Sequence, residues 1–250
     1  MVPSSCLTPS RPDATVACVT RMASFGFHRA ALILVAAGTL LFPSMSDAQQ
    51  LVDPWEKEIA GYEAADRVSP PPSGGIVFIG SSTIRHWDTA AAFPDLRIIN
   101  RGVWVSGLGF ELSDAVRYVD RIVTPYQPRI VVVYAGDNDI SSGKTSEQVV
   151  VDAERFVNRV RAKVPGARII FIGVKPSIQR WLQVDRMRLT NAMLRQLAER
   201  DDRVAFVDVD GAMMGWDERP RRELFNEDGL HLSPEGYRLW TLLLRPLLAP

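Results

Sequence analysis

Five short runs of apolar, largely β-branched residues constrain the fold more than any other feature of this chain. They are IVFI (76–79), LRIIN (96–100), IVVVY (130–134), RIIFIGV (168–174) and VAFVDV (204–209). Between them, apolar residues recur every three or four positions, which predicts helices over 113–123, 146–164 and 184–200. Strands that are apolar throughout are typical of a parallel sheet with helices on both faces. The pattern therefore predicts an α/β fold, a three-layer α/β/α sandwich.

The first 48 residues resemble a secretory signal. A basic stretch precedes the apolar segment AALILVAAGTLLF, and the small residues SDA follow before QQ. We expect cleavage after Ala48, and Met22 rather than Met1 as the true start. The apolar segment is too short to span a bilayer comfortably, although an uncleaved anchor is the alternative. We expect a secreted or periplasmic protein whose mature chain lacks Cys6 and Cys18, and with them any disulfide or thiol nucleophile.

The remaining chain divides into a short N-terminal region and one main domain. Over 49–74 the sequence predicts an amphipathic helix (52–66) and the linker SPPPSGG, and the main domain covers 75–250. Its last helix is predicted to begin at Ser233, an N-cap followed by a first-turn proline, and to kink or stop at Pro246.

Composition limits the classes of partner. Apolar residues make up 46 % of the 250, which is enough for the core of one α/β domain. The formal net charge is zero, so the chain has no electrostatic basis for binding nucleic acid or an anionic membrane surface. We therefore expect a small neutral substrate, no nucleic-acid partner, and no stable membrane insertion after the signal is removed.

Chemically useful side chains follow three of the predicted strands. Ligands of a doubly wound parallel sheet bind beyond the carboxyl ends of its strands. The first strand is followed by Gly80-Ser81-Ser82, the third by Ala135-Gly136-Asp137-Asn138-Asp139, and the fifth, at a distance, by Asn226-Glu227-Asp228-Gly229-Leu230-His231. These segments hold a hydroxyl, a carboxamide, a carboxylate and an imidazole. Those groups can serve as nucleophile, oxyanion donor, orienting acid and base.

The histidines are few enough to identify the base. Only three occur, and His28 lies in the signal. His231 has Asp228 three residues before it, and a turn through Gly229 would let both side chains face one cleft, as a base held by a third group requires. His86 lies four residues beyond Ser82 without a neighbouring carboxylate in the sequence, so we expect it to be structural or part of a pocket wall.

These blocks resemble those of the SGNH hydrolases, also called the GDSL esterase or lipase family, from about residue 55 to the C-terminus. The family's G-D-S block corresponds to Gly80-Ser81-Ser82, with serine in place of aspartate, and implies that Ser82 is the nucleophile. Its G-x-N-D block implies that Asn138 is an oxyanion donor, and its D-x-x-H block is Asp228 to His231. The resemblance implies a flavodoxin-like parallel sheet of about five strands. No G-x-S-x-G elbow, zinc motif or phosphate-binding loop is present in the sequence.

The family's second block, N-x-G-x-x-G, is where this sequence departs. The final glycine of that block donates a backbone N–H to the oxyanion, whereas Val105 occupies its position here. Counting back from the following helix indicates about four extra residues, which makes Gly109, or failing that Gly107, the expected donor. We hypothesise that Trp104 and Phe110 line the acyl side of the cleft; the alternative is a loop folded back onto the core.

The resemblance implies hydrolysis of a carboxylic ester through a Ser-His-Asp triad and an acyl-enzyme, without a metal or an organic cofactor. Short-chain acyl or acetyl esters, small or carried by carbohydrate, are the expected substrates. The alternative is a secreted ligand-binding pseudoenzyme with an impaired oxyanion hole, for which Val105 is the only support.

Overall fold

A computed structural model describes residues 53–249. The predicted signal segment, Met22 and both cysteines therefore lie outside the described residues. The strands are β1 (Ile76–Gly80), β2 (Ile98–Gly102), β3 (Ile130–Tyr134), β4 (Arg168–Ile172) and β5 (Val204–Val207). The helices are α1 (Glu56–Val68), α2 (Ser82–Arg85), α3 (Thr89–Ala92), α4 (Leu112–Ile122), α5 (Asp137–Ser141), α6 (Ser146–Lys163), α7 (Val184–Glu199), α8 (Asp210–Met213) and α9 (Pro234–Leu248).

The five strands form one parallel sheet in the order β2-β1-β3-β4-β5. This is the flavodoxin-like order, in which the chain winds outward from β1 in both directions. The predicted three-layer α/β/α fold with about five parallel strands is confirmed. The point where the winding reverses lies between β1 and β3, the position at which such sheets open a crevice at the carboxyl ends of their strands.

Each face of the sheet has its own hydrophobic core, because successive strand residues point to opposite faces. Val77 and Ile79 belong to one core, and Ile76 and Phe78 belong to the other. The first core also contains buried residues of four helices, α1, α4, α6 and α7, including Ile59, Val119, Phe156 and Leu194. The second contains residues of α2, α8 and α9, including Ile84, Met213, Trp240 and Leu244. Because both faces are covered, the central strands β1 and β3 are buried along their whole length.

The predicted bounds of the second strand were wrong, and of the two outcomes predicted at Pro246, a kink or a stop, the stop does not occur. The second strand begins at Ile98 and continues to Gly102, through the polar pair Asn100 and Arg101. An edge strand tolerates these residues, and Arg101 donates hydrogen bonds to Tyr126 Oη (2.8 Å) and Asp66 Oδ1 (2.6 Å). The last helix does not stop at Pro246 but continues to Leu248.

The proline at position 246 lies in the last turn of α9, so the single hydrogen bond it cannot donate costs the helix little there. Leu244 and Leu248, on either side of it, are fully buried and hold that turn on the sheet. Within residues 53–249, no helix has the combined length and apolarity needed to cross a membrane.

Candidate active site

Three neighbouring strands end at the same level and bring their following segments together. Gly80 at the end of β1 is in register with Gly102 of β2 on one side and Tyr134 of β3 on the other. The segments that begin at Ser81, Val103 and Ala135 therefore leave the sheet side by side. These segments carry Ser82, the glycine-containing loop and Asn138.

Gly80 allows the chain to turn tightly into α2. A Cβ atom at this position would lie 2.0 Å from the carbonyl oxygen of Tyr134, so only glycine fits between the two strands. The next amide, that of Ser81, donates a hydrogen bond to the same oxygen at 3.2 Å. Ser82 is thus the first residue of α2, where its backbone N–H has no partner within the helix. The apolar strand ends on two serines because this turn presents Ser82 at the edge of the sheet.

The structure brings together the three residues predicted to act on the substrate. His231 Nε2 lies 3.0 Å from Ser82 Oγ, although 149 positions separate the two residues in the chain. On the other side of the ring, His231 Nδ1 lies 2.6 Å from Asp228 Oδ2. The hydroxyl, imidazole and carboxylate form one continuous hydrogen-bonded series. In this arrangement the imidazole can accept the serine proton while the carboxylate holds the other nitrogen.

The turn through Gly229 positions Asp228 beside Nδ1 of the His231 ring. Gly229 has φ +65°, a left-handed conformation that glycine adopts without strain. Asp228 Oδ1 accepts hydrogen bonds from the backbone N–H groups of Leu230 (2.9 Å) and His231 (3.0 Å). Burial alone would raise the pKa of Asp228, but these bonds and the one from the His231 ring lower it. Asp228 therefore remains a carboxylate.

His86 borders the site, in agreement with the expected pocket-wall role. It caps the C-terminal end of α2, and its ring centroid lies 5.4 Å from that of His231 and 5.4 Å from that of Trp104. Burial, followed by the nearby His231 and Arg85, lowers the pKa of His86. A neutral ring therefore separates the proposed base from the half-exposed indole of Trp104. A groove of about 780 Å³ also begins at His86 and continues over Ala91, Tyr237 and Leu242.

Gly109 and Asn138 lie against each other at the proposed oxyanion site. A Cβ atom on Gly109 would lie 2.8 Å from Asn138 Cγ, so the backbone of the loop passes directly over the amide. Gly107 has open space around it and φ +78°. It shapes a turn in which the Leu108 amide donates to the Val105 carbonyl oxygen at 3.1 Å. Of the two glycines considered from the sequence, Gly109 is therefore the better-placed donor.

The hypothesis that both aromatic residues of this loop line the cleft is wrong for Phe110. Its side chain is 1 % exposed and packs edge-on against Trp55, with ring centroids 5.4 Å apart, in the core beneath α1. Trp104 is 42 % exposed and contacts His86. Val105 packs, half-buried, against the same core as Phe110. The loop thus places one aromatic side chain in the core and one beside the site.

The sequence did not lead us to two charged residues at the site, Lys175 and Arg180. Lys175 Nζ is fully buried and donates hydrogen bonds to Asp137 Oδ2 (2.8 Å), Tyr134 Oη (2.9 Å) and Thr83 Oγ1 (3.3 Å). Arg180 donates to Asn138 Oδ1 at 2.9 Å. The sequence contained a signal: GVKPS directly follows β4, and a lysine just after an apolar strand lies at the carboxyl end of the sheet, as Ser82 does.

The buried Asp137 stays ionised between these two cations. Burial alone would raise its pKa, but Lys175 and Arg180, together with the hydrogen bonds from Lys175 and Tyr134, lower the pKa to about 2. Asp137 also accepts a hydrogen bond from the backbone N–H of Asn138 at 3.0 Å. In the described part of the chain, no group of three or more His, Cys, Asp or Glu side chains is arranged to hold a metal ion.

Similar proteins were found by sequence and by structure. The platelet-activating factor acetylhydrolase IB subunit alpha1 of Bos taurus is 32 % identical over 185 residues, which cover 69 % of this chain and 76 % of that protein. A GDSL-like lipase from Bacteroides thetaiotaomicron has a TM-score of 0.64 at 19 % identity, covering 76 % of this chain and 96 % of that one. A family 3 carbohydrate esterase from Clostridium thermocellum has a TM-score of 0.53 at 13 % identity, covering 70 % and 98 %.

The two structural likenesses show a shared fold, and the family follows from the sequence itself. Residues 78–239 match the model of the GDSL-like lipase/acylhydrolase family. That range makes up more than half of the chain and contains Ser82, Asn138, Asp228 and His231. The chain therefore belongs to the GDSL-like lipase/acylhydrolase family and is a carboxylic ester hydrolase.

Proposed function

We propose that this hydrolase cleaves short-acyl esters, acetyl esters in particular, through an acyl-enzyme formed on Ser82. The observation that carries the proposal is the hydrogen-bonded series from Asp228 Oδ2 through the His231 ring to Ser82 Oγ, with distances of 2.6 and 3.0 Å. A lone serine at a helix start is a common cap. A serine joined to an imidazole and a carboxylate in this order is the arrangement that activates a hydroxyl as a nucleophile.

The reaction consists of two acyl transfers. His231 accepts the Ser82 proton as the hydroxyl oxygen attacks the ester carbonyl, and it then donates that proton to the leaving alcohol. Water then attacks the acyl carbonyl and loses a proton to the same imidazole. The imidazolium returns that proton to Ser82 Oγ as the bond to the acyl group breaks and the acid leaves. Asp228 stays ionised throughout and keeps the His231 Nδ1–H directed towards itself.

Three donors surround the position where negative charge develops. They are the free N–H of Ser82 at the start of α2, the backbone N–H of Gly109 and the side-chain amide of Asn138. Each such donor is worth about 10²- to 10³-fold in rate. The closeness of Gly109 to Asn138 supports this set. It also removes the main support for the pseudoenzyme alternative, which was the missing glycine at position 105.

The acyl group of the substrate is inferred from the relatives. For the alcohol we propose a small molecule or a carbohydrate. The Bos taurus relative is by name an acetylhydrolase, and solved structures of the same fold include an acetyl esterase and family 3 carbohydrate esterases. These names support an acetyl or similarly short acyl group for this chain.

The test is hydrolysis of p-nitrophenyl acetate, butyrate and octanoate by the full chain and by Ser82→Ala. We expect kcat/KM to be highest for acetate, to fall towards octanoate, and to be abolished by the substitution. Stoichiometric phosphonylation of Ser82 by a p-nitrophenyl phosphonate, identified by peptide mass, would locate the nucleophile independently. Octanoate as the best substrate would refute the short-acyl proposal, and an active Ser82→Ala variant would refute the mechanism.

A further inference from the structure

Arg180 contacts the side-chain oxygen of Asn138, the proposed oxyanion donor. Its Nη2 donates a hydrogen bond to Asn138 Oδ1 at 2.9 Å, and its Nη1 lies 3.3 Å from Asp137 Oδ2. The side chain is 16 % exposed, so most of the guanidinium is out of water. One planar cation therefore touches two consecutive residues of the segment that follows β3.

These contacts allow one orientation of the Asn138 amide. Asn138 Nδ2 donates to the carbonyl oxygen of Phe110 at 3.1 Å, which uses one of its two N–H bonds. The other remains available for a ligand in the cleft. Flipping the amide would turn its NH₂ group towards the guanidinium and its oxygen towards the Phe110 carbonyl oxygen. Both contacts would become repulsive, so Arg180 holds the amide with its donor side outward.

Arg180 is itself fixed by groups on both sides of the site. Asp137, which pairs with its Nη1, is held by the buried Lys175 and by Tyr134. Gln179, the residue before Arg180, donates its backbone N–H to the carbonyl oxygen of Gly229 at 3.1 Å, and Gly229 is next to Asp228. The segment that carries Arg180 is thus attached to the turn that carries the proposed base.

We propose that Arg180 is a positioning residue for ester hydrolysis, which orients and polarises the Asn138 amide as an oxyanion donor. This inference rests on the proposed function, in which Asn138 contacts the oxyanion. Hydrogen bonds from an ionised donor are stronger than those between neutral groups, and drawing electron density from Oδ1 makes the Asn138 N–H a better donor.

A double-mutant cycle tests the assignment, using Arg180→Met, Asn138→Ala and the double variant with p-nitrophenyl acetate. Asn138→Ala is expected to lower kcat/KM about 10²- to 10³-fold. Arg180→Met is expected to lower kcat and kcat/KM equally, by about 10- to 100-fold with KM unchanged, because the interaction acts in the transition state. In the Asn138→Ala background, Arg180→Met should cost less than about twofold, because its target is gone.

Two further variants separate positioning from a general structural effect. Arg195→Met removes an arginine that pairs with Asp208 on the exposed side of α7, and it should leave kcat/KM unchanged. Arg180→Lys should recover part of the lost rate, because an ammonium can donate to Asn138 Oδ1 but lacks the second nitrogen that lies 3.3 Å from Asp137 Oδ2. Titrating active sites with a serine-reactive phosphonate normalises each rate to folded enzyme.

The inference is overturned if Arg180→Met keeps kcat/KM within twofold of the wild type. It is also overturned if Arg180→Met loses the same factor with and without Asn138, since Arg180 would then act independently of the amide. Failure of the proposed function looks different: Ser82→Ala would remain active, or Asn138→Ala alone would have no effect. The two outcomes for Arg180→Met would leave the proposed mechanism intact. The outcomes for Ser82→Ala and Asn138→Ala would refute both the mechanism and the role of Arg180.

Discussion

Gly109→Ala is expected to cost activity through a contact with one side chain. The added Cβ would lie 2.8 Å from Asn138 Cγ and 2.9 Å from its Cβ. Two carbon atoms at their optimum are about 3.5 Å apart, so one of the groups has to move by about 0.7 Å. Misplacing a catalytic donor by about 1 Å costs about 100-fold in rate. We therefore expect kcat/KM to fall about 100-fold, equivalent to about 2.7 kcal/mol of transition-state stabilisation.

The chain offers a matched control two residues away. A Cβ atom added to Gly107 would have no neighbouring atom within 4 Å, but the φ of +78° at this position is unfavourable for alanine. Gly107→Ala should therefore cost about 1 kcal/mol of unfolding free energy and leave kcat/KM unchanged. Gly109 does not have a positive φ, so its substitution costs stability only through crowding, about 1–3 kcal/mol.

The assay compares kcat/KM for p-nitrophenyl acetate with the free energy of unfolding in urea for both variants. Because both lose some stability, a loss of activity confined to Gly109→Ala cannot be a consequence of unfolding. A folded Gly109→Ala enzyme within threefold of wild-type kcat/KM would refute the steric reasoning. An inactive Gly107→Ala enzyme would instead make Gly107 the donor.

Three further predictions follow from the same geometry. Asp228→Asn should lower kcat about 10⁴-fold with little change in KM, because the His231 ring loses the partner that orients it; stopped-flow or long-time-course rates would measure this. Asp137, with its pKa lowered to about 2, contributes stability above pH 4 that is lost as the pH falls towards 2. Between pH 4 and pH 2, the free energy of unfolding in urea should therefore fall by about 2 kcal/mol less for Asp137→Asn than for the wild type. Trp104→Ala should alter the acetate-to-octanoate ratio of kcat/KM, because the half-exposed indole lies against His86 beside the site; an unaltered ratio would exclude Trp104 from the cleft.

The layers of the fold were predictable because the apolar residues of each strand show which of its faces are buried. A run such as IVVVY, buried along its whole length, is stable only between two apolar layers, and this is what β3 shows. The boundaries of β2 were less predictable. Asn100 and Arg101 look like loop residues. The place of Arg101 in the strand depends on Asp66 of α1 and on Tyr126 after α4, and Asn100 donates to the carbonyl oxygens of Ile84 and Trp87.

Local spacing in the sequence was enough to single out the chemical groups of the candidate site and two of its turns. Asp228 and His231 lie three residues apart across a glycine, so their pairing needs only a turn, and Gly80 before Ser82 requires one as well. The tertiary structure makes the contacts between distant segments. It brought Ser82 to a histidine 149 residues away, selected Gly109 over Gly107, buried Phe110 against Trp55, and placed Lys175 against Asp137 and Arg180 against Asn138. Short-range spacing constrains neighbours in the chain, whereas contacts across the sheet depend on strand order and register, which no local pattern contains.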